Sequence, residues 1–281
     1  MPEQTIPGSA SELIGNTPTS MRPFEGLATG IWSLVLYTST IGPALVVGAG
    51  FDEASNPRSP LAAAVTPATF GLIRIMPLGD SITESSSGFG SYRYYLWQDL
   101  TREGFTVDFV GSMTGTGGEA ADSPEFDSDH EGHPGWRADE VADHLDGWAG
   151  SARPDVVLIH LGTNDLAQGQ PPTDVIRDLA RIIDRLRVVN PHVHILVAQI
   201  IPMGTEGPAH VLELNAAIAT LADRVGTADS PVEAVDQFTG FDHAGMTWDG
   251  IHPNRKGNKT MATVWMQALL PHLRMIHSTV R

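Results

Sequence analysis

The chain has 281 residues, with 17 basic and 33 acidic side chains, a net charge of −16 and no cysteine. A chain of this length can bury enough surface to fold without disulfides or a structural metal. The lack of cysteine excludes thiolate metal centres and a cysteine nucleophile. The negative charge argues against binding to nucleic acid or to an anionic membrane surface. Serine, histidine and carboxylate side chains are left to carry any catalysis.

Residues 1–70 are rich in Thr, Ser, Pro, Gly and Ala and lack regular apolar periodicity, so we expect an N-terminal appendage. The stretch from Gly26 to Gly50 contains no charged residue and is similar to the apolar part of a secretory signal. Five glycines and Pro43 interrupt it, which also fits a loosely packed arm or a short membrane anchor. We expect export, with a cytoplasmic protein as the alternative, and a flexible spacer over residues 55–70.

From Gly71 onward, short apolar runs alternate with amphipathic segments. The apolar runs, predicted as strands, are 72–78, 107–110, 156–161, 193–201 and 232–235. The amphipathic segments, predicted as helices, are 92–102, 138–148, 173–189, 209–225 and 256–273. This alternation predicts a three-layer α/β/α sandwich with a five-stranded parallel sheet, in one domain over residues 71–281. Ligands in such folds bind beyond the carboxyl ends of the strands, so functional residues should follow the apolar runs.

Polar residues and glycines do follow several of these runs. Ser81 comes directly after the first run, where a nucleophile would stand, although a serine at such a turn is also a common helix N-cap. Gly111 and Asn164 follow the second and third runs. Both could donate hydrogen bonds into the same crevice, with a turn residue and a cap as the structural alternatives.

Asp249 and His252 lie in the loop before the last predicted helix. Spaced three residues apart in a short loop, both can face one crevice, and Pro253 disfavours helix at His252. Together with the three residues above, they supply a nucleophile, oxyanion donors, a base and a residue that orients the base.

These residues resemble the four sequence blocks of the SGNH hydrolases, the GDSL-like esterases and lipases. Gly79-Asp80-Ser81 is similar to the first block, Gly111 to the second, residues 162–165 to the third and residues 249–253 to the last. Order and spacing match from Gly71 to the C-terminus, with isoleucine in place of leucine after Ser81. The resemblance implies a flavodoxin-like α/β/α fold and hydrolysis of carboxylic esters without a metal or organic cofactor.

The resemblance also implies a role for each residue. Ser81 would attack the ester carbonyl, His252 would take and return the proton, and Asp249 would orient the imidazole. The backbone N–H groups of Ser81 and Gly111 and the side-chain amide of Asn164 would form the oxyanion hole.

Residues 119–146 hold ten acidic side chains and one base, Arg137, and so carry nine of the sixteen net negative charges. A solvated acidic loop and helix face is the simplest interpretation. Residues 127–132 imitate the start of a calcium-binding EF-hand loop, but Ala138 stands where that loop needs Glu. His130 and His133 lack the spacing and the helix of a zinc-binding pair. We therefore expect no metal site.

Residues 129–137, Asp-His-Glu-Gly-His-Pro-Gly-Trp-Arg, resemble the insert after the second block in carbohydrate esterase family 3, where acetylxylan esterases are found. Residues 73–78 and 108–112 are also similar to that branch. The resemblance implies removal of acetyl groups from acetylated xylan or related sugars, which are neutral substrates compatible with an acidic enzyme.

Substrate contacts are expected at Asp80, His133, Trp136 and Trp248, with internal packing as the alternative for the tryptophans. The competing functions are a general short-chain carboxylesterase, lipase or thioesterase with the same triad, and a non-catalytic carbohydrate-binding protein on a hydrolase fold. We expect no nucleic-acid partner and no stable membrane association of the mature form.

Overall fold

A computed structural model of the protein describes residues 72–85, 90–115, 123–204 and 208–279. The predicted appendage, export segment and spacer of residues 1–70 lie outside the described residues, as do Glu119 and Asp122 of the acidic segment. Among the described residues, no helix combines the length and apolar composition that crossing a membrane requires.

A parallel sheet forms the centre of the described fold. Its strands are β1 (Ile73–Gly79), β2 (Val107–Phe109), β3 (Glu131–Gly132), β4 (Val156–His160), β5 (His194–Gln199) and β6 (Val232–Asp236). Five of them pair in the order β2-β1-β4-β5-β6, and β3 pairs with β1 beyond the end of β2. The central strand β4 is buried along its whole length, which explains why it reads as a continuous apolar run.

Helices cover both faces of this sheet. They are α1 (Ser81–Glu84), α2 (Tyr92–Arg102), α3 (Ala138–Ala152), α4 (Thr163–Ala167), α5 (Pro172–Val189), α6 (Pro208–Val225), α7 (His243–Met246) and α8 (Arg255–Thr279). The helices α2 and α8 pack on one face, whereas α3, α5 and α6 pack on the other. The predicted three-layer sandwich is therefore confirmed.

The sheet and the last helix each differ from the sequence-based expectation, and the short helices α1, α4 and α7 are additional to the five predicted ones. The sheet has a sixth strand, β3, which the sequence does not reveal because two residues, Glu131 and Gly132, form no apolar run. Helix α8 also continues past the predicted end at Leu273 to Thr279, with Pro271 inside it. Partly buried Ile276 packs against the core in this added part.

The strand order creates a crevice between β1 and β4. After β1 the chain forms β2 on one side of it and later returns to form β4 on the other side. Ligands of open α/β sheets bind at the carboxyl ends of strands where the order reverses in this way. Ser81 follows β1 and Asn164 follows β4, so both stand at this crevice.

Candidate active site

The turn after β1 presents Ser81 at the first position of α1. A side chain at Gly79 would come within 2.7 Å of the carbonyl oxygen of His160, so only glycine fits beside the turn. Asp80 caps the helix, because its Oδ1 accepts the N–H of Ile82 at 2.9 Å. The N–H of Ser81 is one of the free donors at a helix start and is available to a ligand.

The loop before α8 brings His252 to the nucleophile. Ser81 Oγ lies 2.9 Å from His252 Nε2, and His252 Nδ1 lies 2.7 Å from Asp249 Oδ2. When the Nδ1–H donates to the carboxylate, Nε2 is left to accept the serine proton. The three residues are thus joined in the order in which the predicted nucleophile, base and orienting acid would have to stand.

Asp249 is held by its own loop. Its Oδ1 accepts the backbone N–H groups of Ile251 at 2.9 Å and His252 at 2.7 Å. Partial burial acts to raise the pKa of Asp249, but these bonds and the one from the imidazole outweigh it and hold the pKa below its usual value. Asp249 is therefore ionised at neutral pH, as its partnership with a protonated His252 requires.

Asn164 reaches the same crevice from the end of β4. Its Nδ2 donates to Asp80 Oδ2 at 3.3 Å and to the backbone carbonyl of Trp136 at 3.0 Å. Both amide hydrogens are thus engaged within the protein. To act on an oxyanion, the amide would exchange the bond to Trp136 for one to the substrate.

Asp80 lies behind the site and is fully buried. Burial raises its pKa to about 7, although the hydrogen bond from Ile82 and the positive charge of His252 act in the opposite direction. The structure does not expose this carboxyl group to a substrate, contrary to the expected contact. Its position indicates that it orients Asn164.

Gly111 is not brought to the nucleophile. The ladder between β1 and β2 ends where the N–H of Val110 donates to the carbonyl of Ile75, four residues before Gly79. A side chain at Gly111 would overlap the backbone of His130, so this glycine is needed for close passage of two chain segments. The expected oxyanion donor at Gly111 is therefore out of position.

The segment that does flank the nucleophile is β3 with the loop after it. Gly132 pairs with Gly79, and the N–H of His133 donates to the Gly79 carbonyl at 2.9 Å. The N–H of Gly132 already donates to His130 Nδ1 at 2.9 Å. Gly135 has a left-handed φ of 81° and immediately precedes Trp136, whose carbonyl accepts from Asn164.

The side chains of His133 and Trp136 belong to an aromatic cluster. The His133 ring stacks on Trp148 at a centroid distance of 4.2 Å and lies 4.8 Å from the Trp136 ring. Its Nε2 is 2.6 Å from the buried carboxylate of Glu131. The structure thus assigns His133 to packing instead of substrate contact, and Trp136 is half-buried in the same cluster.

Trp248 is exposed, in contrast to the packed side chains of His133 and Trp136. Its ring stacks on His252 with centroids 5.7 Å apart and planes at 20°, and 51% of the residue is exposed. Of the four expected substrate contacts, this one offers the most open aromatic face to a ligand.

Arg93 and Glu131 are buried ionisable residues near the site, and no sequence pattern predicts that they support it. The guanidinium of Arg93 donates to four carbonyls, those of Thr83, Glu84, Gly115 and Ser128, and so ties α1 to the insert after β2. Glu131 accepts from both the N–H and the hydroxyl of Ser112 at 2.7 Å. Both were hidden because their partners are distant in sequence.

The acidic segment is largely engaged with the protein itself. Asp127 accepts the N–H of Phe109 at 2.7 Å, and Asp143 and Asp146 of α3 pair with Arg181 and Arg185 of α5. Within the described ranges, no group of three histidine or carboxylate side chains is arranged to hold a metal ion.

A parallel α/β/α sandwich in which a serine at the end of a strand is joined to an imidazole and a carboxylate from the loop before the last helix matches the SGNH type of esterase. The chain belongs to the GDSL-like lipase/acylhydrolase family, whose sequence model matches residues 78–260. It is a carboxylic ester hydrolase.

Solved carbohydrate esterases of family 3 are similar to this chain. The enzyme from Talaromyces cellulolyticus is 34% identical, with a TM-score of 0.67 over 72% of this chain and 98% of that one. The enzyme from Clostridium thermocellum is 33% identical, with a TM-score of 0.64 over 73% and 99%.

A curated multidomain esterase from Ruminococcus flavefaciens is also similar, with 28% identity over 233 residues. That match takes in 73% of this chain but only 29% of the relative's length. The chain therefore spans less than a third of the multidomain protein.

Proposed function

We propose that this esterase removes acetyl groups from acetylated carbohydrate, acetylated xylan being the leading substrate, through an acyl-serine intermediate. The observation that carries the proposal is the hydrogen-bonded chain from Ser81 through His252 to Asp249, with distances of 2.9 and 2.7 Å. Such a chain couples a nucleophile to its base and fixes the tautomer of the base.

In the first half-reaction, Ser81 Oγ attacks the acetyl carbonyl carbon while His252 Nε2 takes the hydroxyl proton. The imidazolium that forms is stabilised by the carboxylate of Asp249. His252 then returns the proton to the sugar oxygen as the C–O bond breaks, which leaves acetyl-Ser81. In the second half-reaction, water gives a proton to His252 as it attacks the acetyl carbon. His252 then returns this proton to Ser81 Oγ as the bond between Oγ and the acetyl carbon breaks, and acetic acid leaves and ionises to acetate.

The negative charge on the carbonyl oxygen needs donors on the other side of the carbon. The Ser81 N–H and Asn164 Nδ2 are two of them. For the third we assign a backbone N–H of residues 132–135, in place of Gly111, because these residues pair with the end of β1 or adjoin the contact between Trp136 and Asn164. Gly135 is favoured within this loop, since the N–H of Gly132 is used by His130.

The acetyl and carbohydrate specificity is supported by the family 3 carbohydrate esterases at 33–34% identity. The exposed Trp248 beside His252 offers an aromatic face that a sugar ring can cover. The alternative is a short-chain carboxylesterase, lipase or thioesterase with the same triad. A non-catalytic binding protein is disfavoured because the whole triad is present and aligned.

Acetate release from acetylated xylo-oligosaccharides, measured beside hydrolysis of p-nitrophenyl esters of rising chain length, tests the substrate. We expect acetate from the sugar and a steep fall in rate from acetate to octanoate. No acetate from the sugar together with rapid butyrate or octanoate hydrolysis would favour the alternative.

Replacement of the nucleophile tests the mechanism. We expect Ser81→Ala to lower kcat by about 10⁴-fold or more, whereas Ser151→Ala on the surface of α3 should keep wild-type turnover. An organophosphonate should label Ser81 alone, as read by peptide mass spectrometry. Full activity in Ser81→Ala would refute the acyl-serine mechanism.

We also propose that the protein is exported and that residues 1–70 form an appendage to the catalytic domain of residues 71–281. The relatives with carbohydrate esterase activity support this, since polymeric xylan is an extracellular substrate. Mass spectrometry of the protein in culture medium and in cell extract tests the proposal. Recovery of the whole chain only from the cytoplasm would refute it.

A further inference from the structure

A groove adjoins the proposed active site on the side of α8. It has a volume of about 790 Å³ and lies between the loop that carries Asp249 and His252 and the first turns of α8. Trp248 lines it, and the same indole ring stacks on His252. The groove is thus only one aromatic ring away from the base that contacts Ser81.

The charge of this groove is opposite to that of the molecule. Arg255, Lys256 and Lys259 line it, although the chain has a net charge of −16. Lys256 and Lys259 are the only two lysines among the 281 residues, where arginine supplies the other fifteen basic side chains. Because both lysines and Trp248 line this groove, the two lysines of the chain lie beside the same half-exposed tryptophan.

The two ammonium groups are available to a ligand. In the part of the chain that the structure describes, neither lysine takes part in an ion pair. The Nζ of Lys259 lies 5.2 Å from the centroid of the Tyr95 ring, a contact that leaves its donors unused. Two acids of adjoining segments are engaged elsewhere, Asp99 with Arg102 and Asp249 with His252.

We propose that this groove binds a sugar residue that carries a carboxylate, a uronic acid, on the polymer whose acetyl group is removed at Ser81. The indole face of Trp248 would cover the sugar ring, and Lys256 and Lys259 would pair with the carboxylate. The inference rests on the proposed carbohydrate esterase function. It specifies a carbohydrate that bears a uronic acid, in place of the neutral substrate expected from the sequence. An acidic enzyme would otherwise repel such a polymer.

Kinetics with matched substrates test the groove. Acetylated xylo-oligosaccharides with a uronic acid branch are compared with the same compounds after reduction of the carboxyl group to an alcohol. We expect the wild type to prefer the charged form, and the ratio of the two kcat/KM values to fall about two- to fivefold for each lysine replaced in Lys256→Gln and Lys259→Gln. The double variant Lys256→Arg/Lys259→Arg keeps both positive charges and should therefore keep the wild-type ratio of the two kcat/KM values.

The control double variant is Arg224→Gln/Arg274→Gln, which removes two exposed cations outside the groove and changes the net charge equally. It should keep the wild-type ratio. An equal fall in the control would show that overall charge sets the preference, and equal kcat/KM values for both substrates in the wild type would refute the groove assignment.

Binding without hydrolysis separates this inference from the proposed function. Calorimetry with an unacetylated uronic-acid-bearing xylo-oligosaccharide and its carboxyl-reduced form measures the groove alone. Tighter binding of the charged form, lost in Lys256→Gln/Lys259→Gln, supports the groove even if no acetate is released from any sugar. Acetate release with equal binding of both forms would leave the esterase proposal intact and overturn this one.

Discussion

Asp80 directly precedes Ser81 in the sequence, but its side chain is closed off from a ligand. Its carboxyl group is wholly buried, accepts the N–H of Ile82 and lies 3.3 Å from the amide nitrogen of Asn164. A substrate contact is expected for Asp80 from the sequence, but burial of its carboxyl group leaves no surface for a substrate to touch. The result is a titratable group held inside the protein.

The protonation of Asp80 makes a prediction about stability. Its pKa is about 7 in the folded chain and about 3.9 in an unfolded one, so the folded state holds the proton more tightly and wild-type stability falls as the pH rises between these values. Asn cannot titrate. From pH 5 to pH 8, we expect the free energy of unfolding of Asp80→Asn to gain about 2–3 kcal/mol relative to wild type.

Urea unfolding at several pH values measures this difference. Asp223→Asn makes the same chemical change at an exposed position of α6 and should show no such trend. A constant difference between Asp80→Asn and wild type from pH 5 to pH 8 would mean that Asp80 is ionised throughout.

Among the elements, the short strand β3 determines which backbone lies next to Ser81, because β3 pairs with the end of β1. The passage places the backbone of His130 and Glu131 against Gly111. Gly111→Ala should therefore destabilise the fold by about 1–3 kcal/mol, the usual cost of forcing extra atoms into packed structure.

Thermal unfolding of Gly111→Ala, measured beside that of Gly147→Ala, tests this expectation. Gly147 lies in α3 with open space around its α-carbon, so alanine there should raise stability by about 0.5–1 kcal/mol. If Gly111→Ala were as stable as wild type, the close passage of residues 111 and 130 would be wrong.

A second contact between elements joins the sheet to α8. It lies at the amino-terminal end of β5, away from the candidate active site. His194 Nδ1 of β5 lies 2.8 Å from His272 Nδ1 of α8, and His272 Nε2 lies 2.8 Å from Glu233 of β6. Only one proton fits between the two Nδ1 atoms. Burial, followed by the proximity of His272, lowers the pKa of His194 to about 4.

Acid should loosen this connection. The folded chain binds the His194 proton more weakly than the unfolded chain, so its contribution is complete above about pH 6.5 and is lost as the pH falls towards 4. His194→Asn keeps a donor for His272 without titrating. The stability advantage of wild type over this variant should shrink by about 2–3 kcal/mol from pH 7 to pH 4 in urea unfolding, whereas exposed His210→Asn should show no such change.

At the scale of the whole molecule, charge is distributed by tertiary contacts. Along the sequence, the acids of α3 have only Arg137 nearby. In the folded chain, Arg181 and Arg185 of α5 lie 2.6 and 2.7 Å from Asp143 and Asp146. The two lysines gather at the groove beside Trp248. Net charge alone thus misjudges which ligands the surface can accept.

The described sheet, helices and triad all fall within residues 72–279. We therefore expect a chain that begins at Gly71 to hydrolyse p-nitrophenyl acetate at the full-length rate and to unfold within about 3 °C of it, the shift caused by about 1 kcal/mol. A chain that begins at Ser81 lacks β1 and should not fold. Loss of activity in the Gly71 chain would assign a structural role to residues 1–70.

The layered α/β fold and the order of Ser81, Asn164, Asp249 and His252 at strand and loop ends can be predicted from the amino-acid sequence. Both follow from local signals, namely apolar runs and the polar residues directly after them. The catalytic roles of these residues stay predictions.

Three features emerge only when the chain is folded. They are the backbone that flanks Ser81, the inward orientation of Asp80 and His133, and the position of both lysines beside Trp248. The physical reason is that β3 has two residues and no periodicity, so its pairing with β1 is fixed by distant contacts. Burial of Asp80 and stacking of His133 likewise depend on segments far away in the chain.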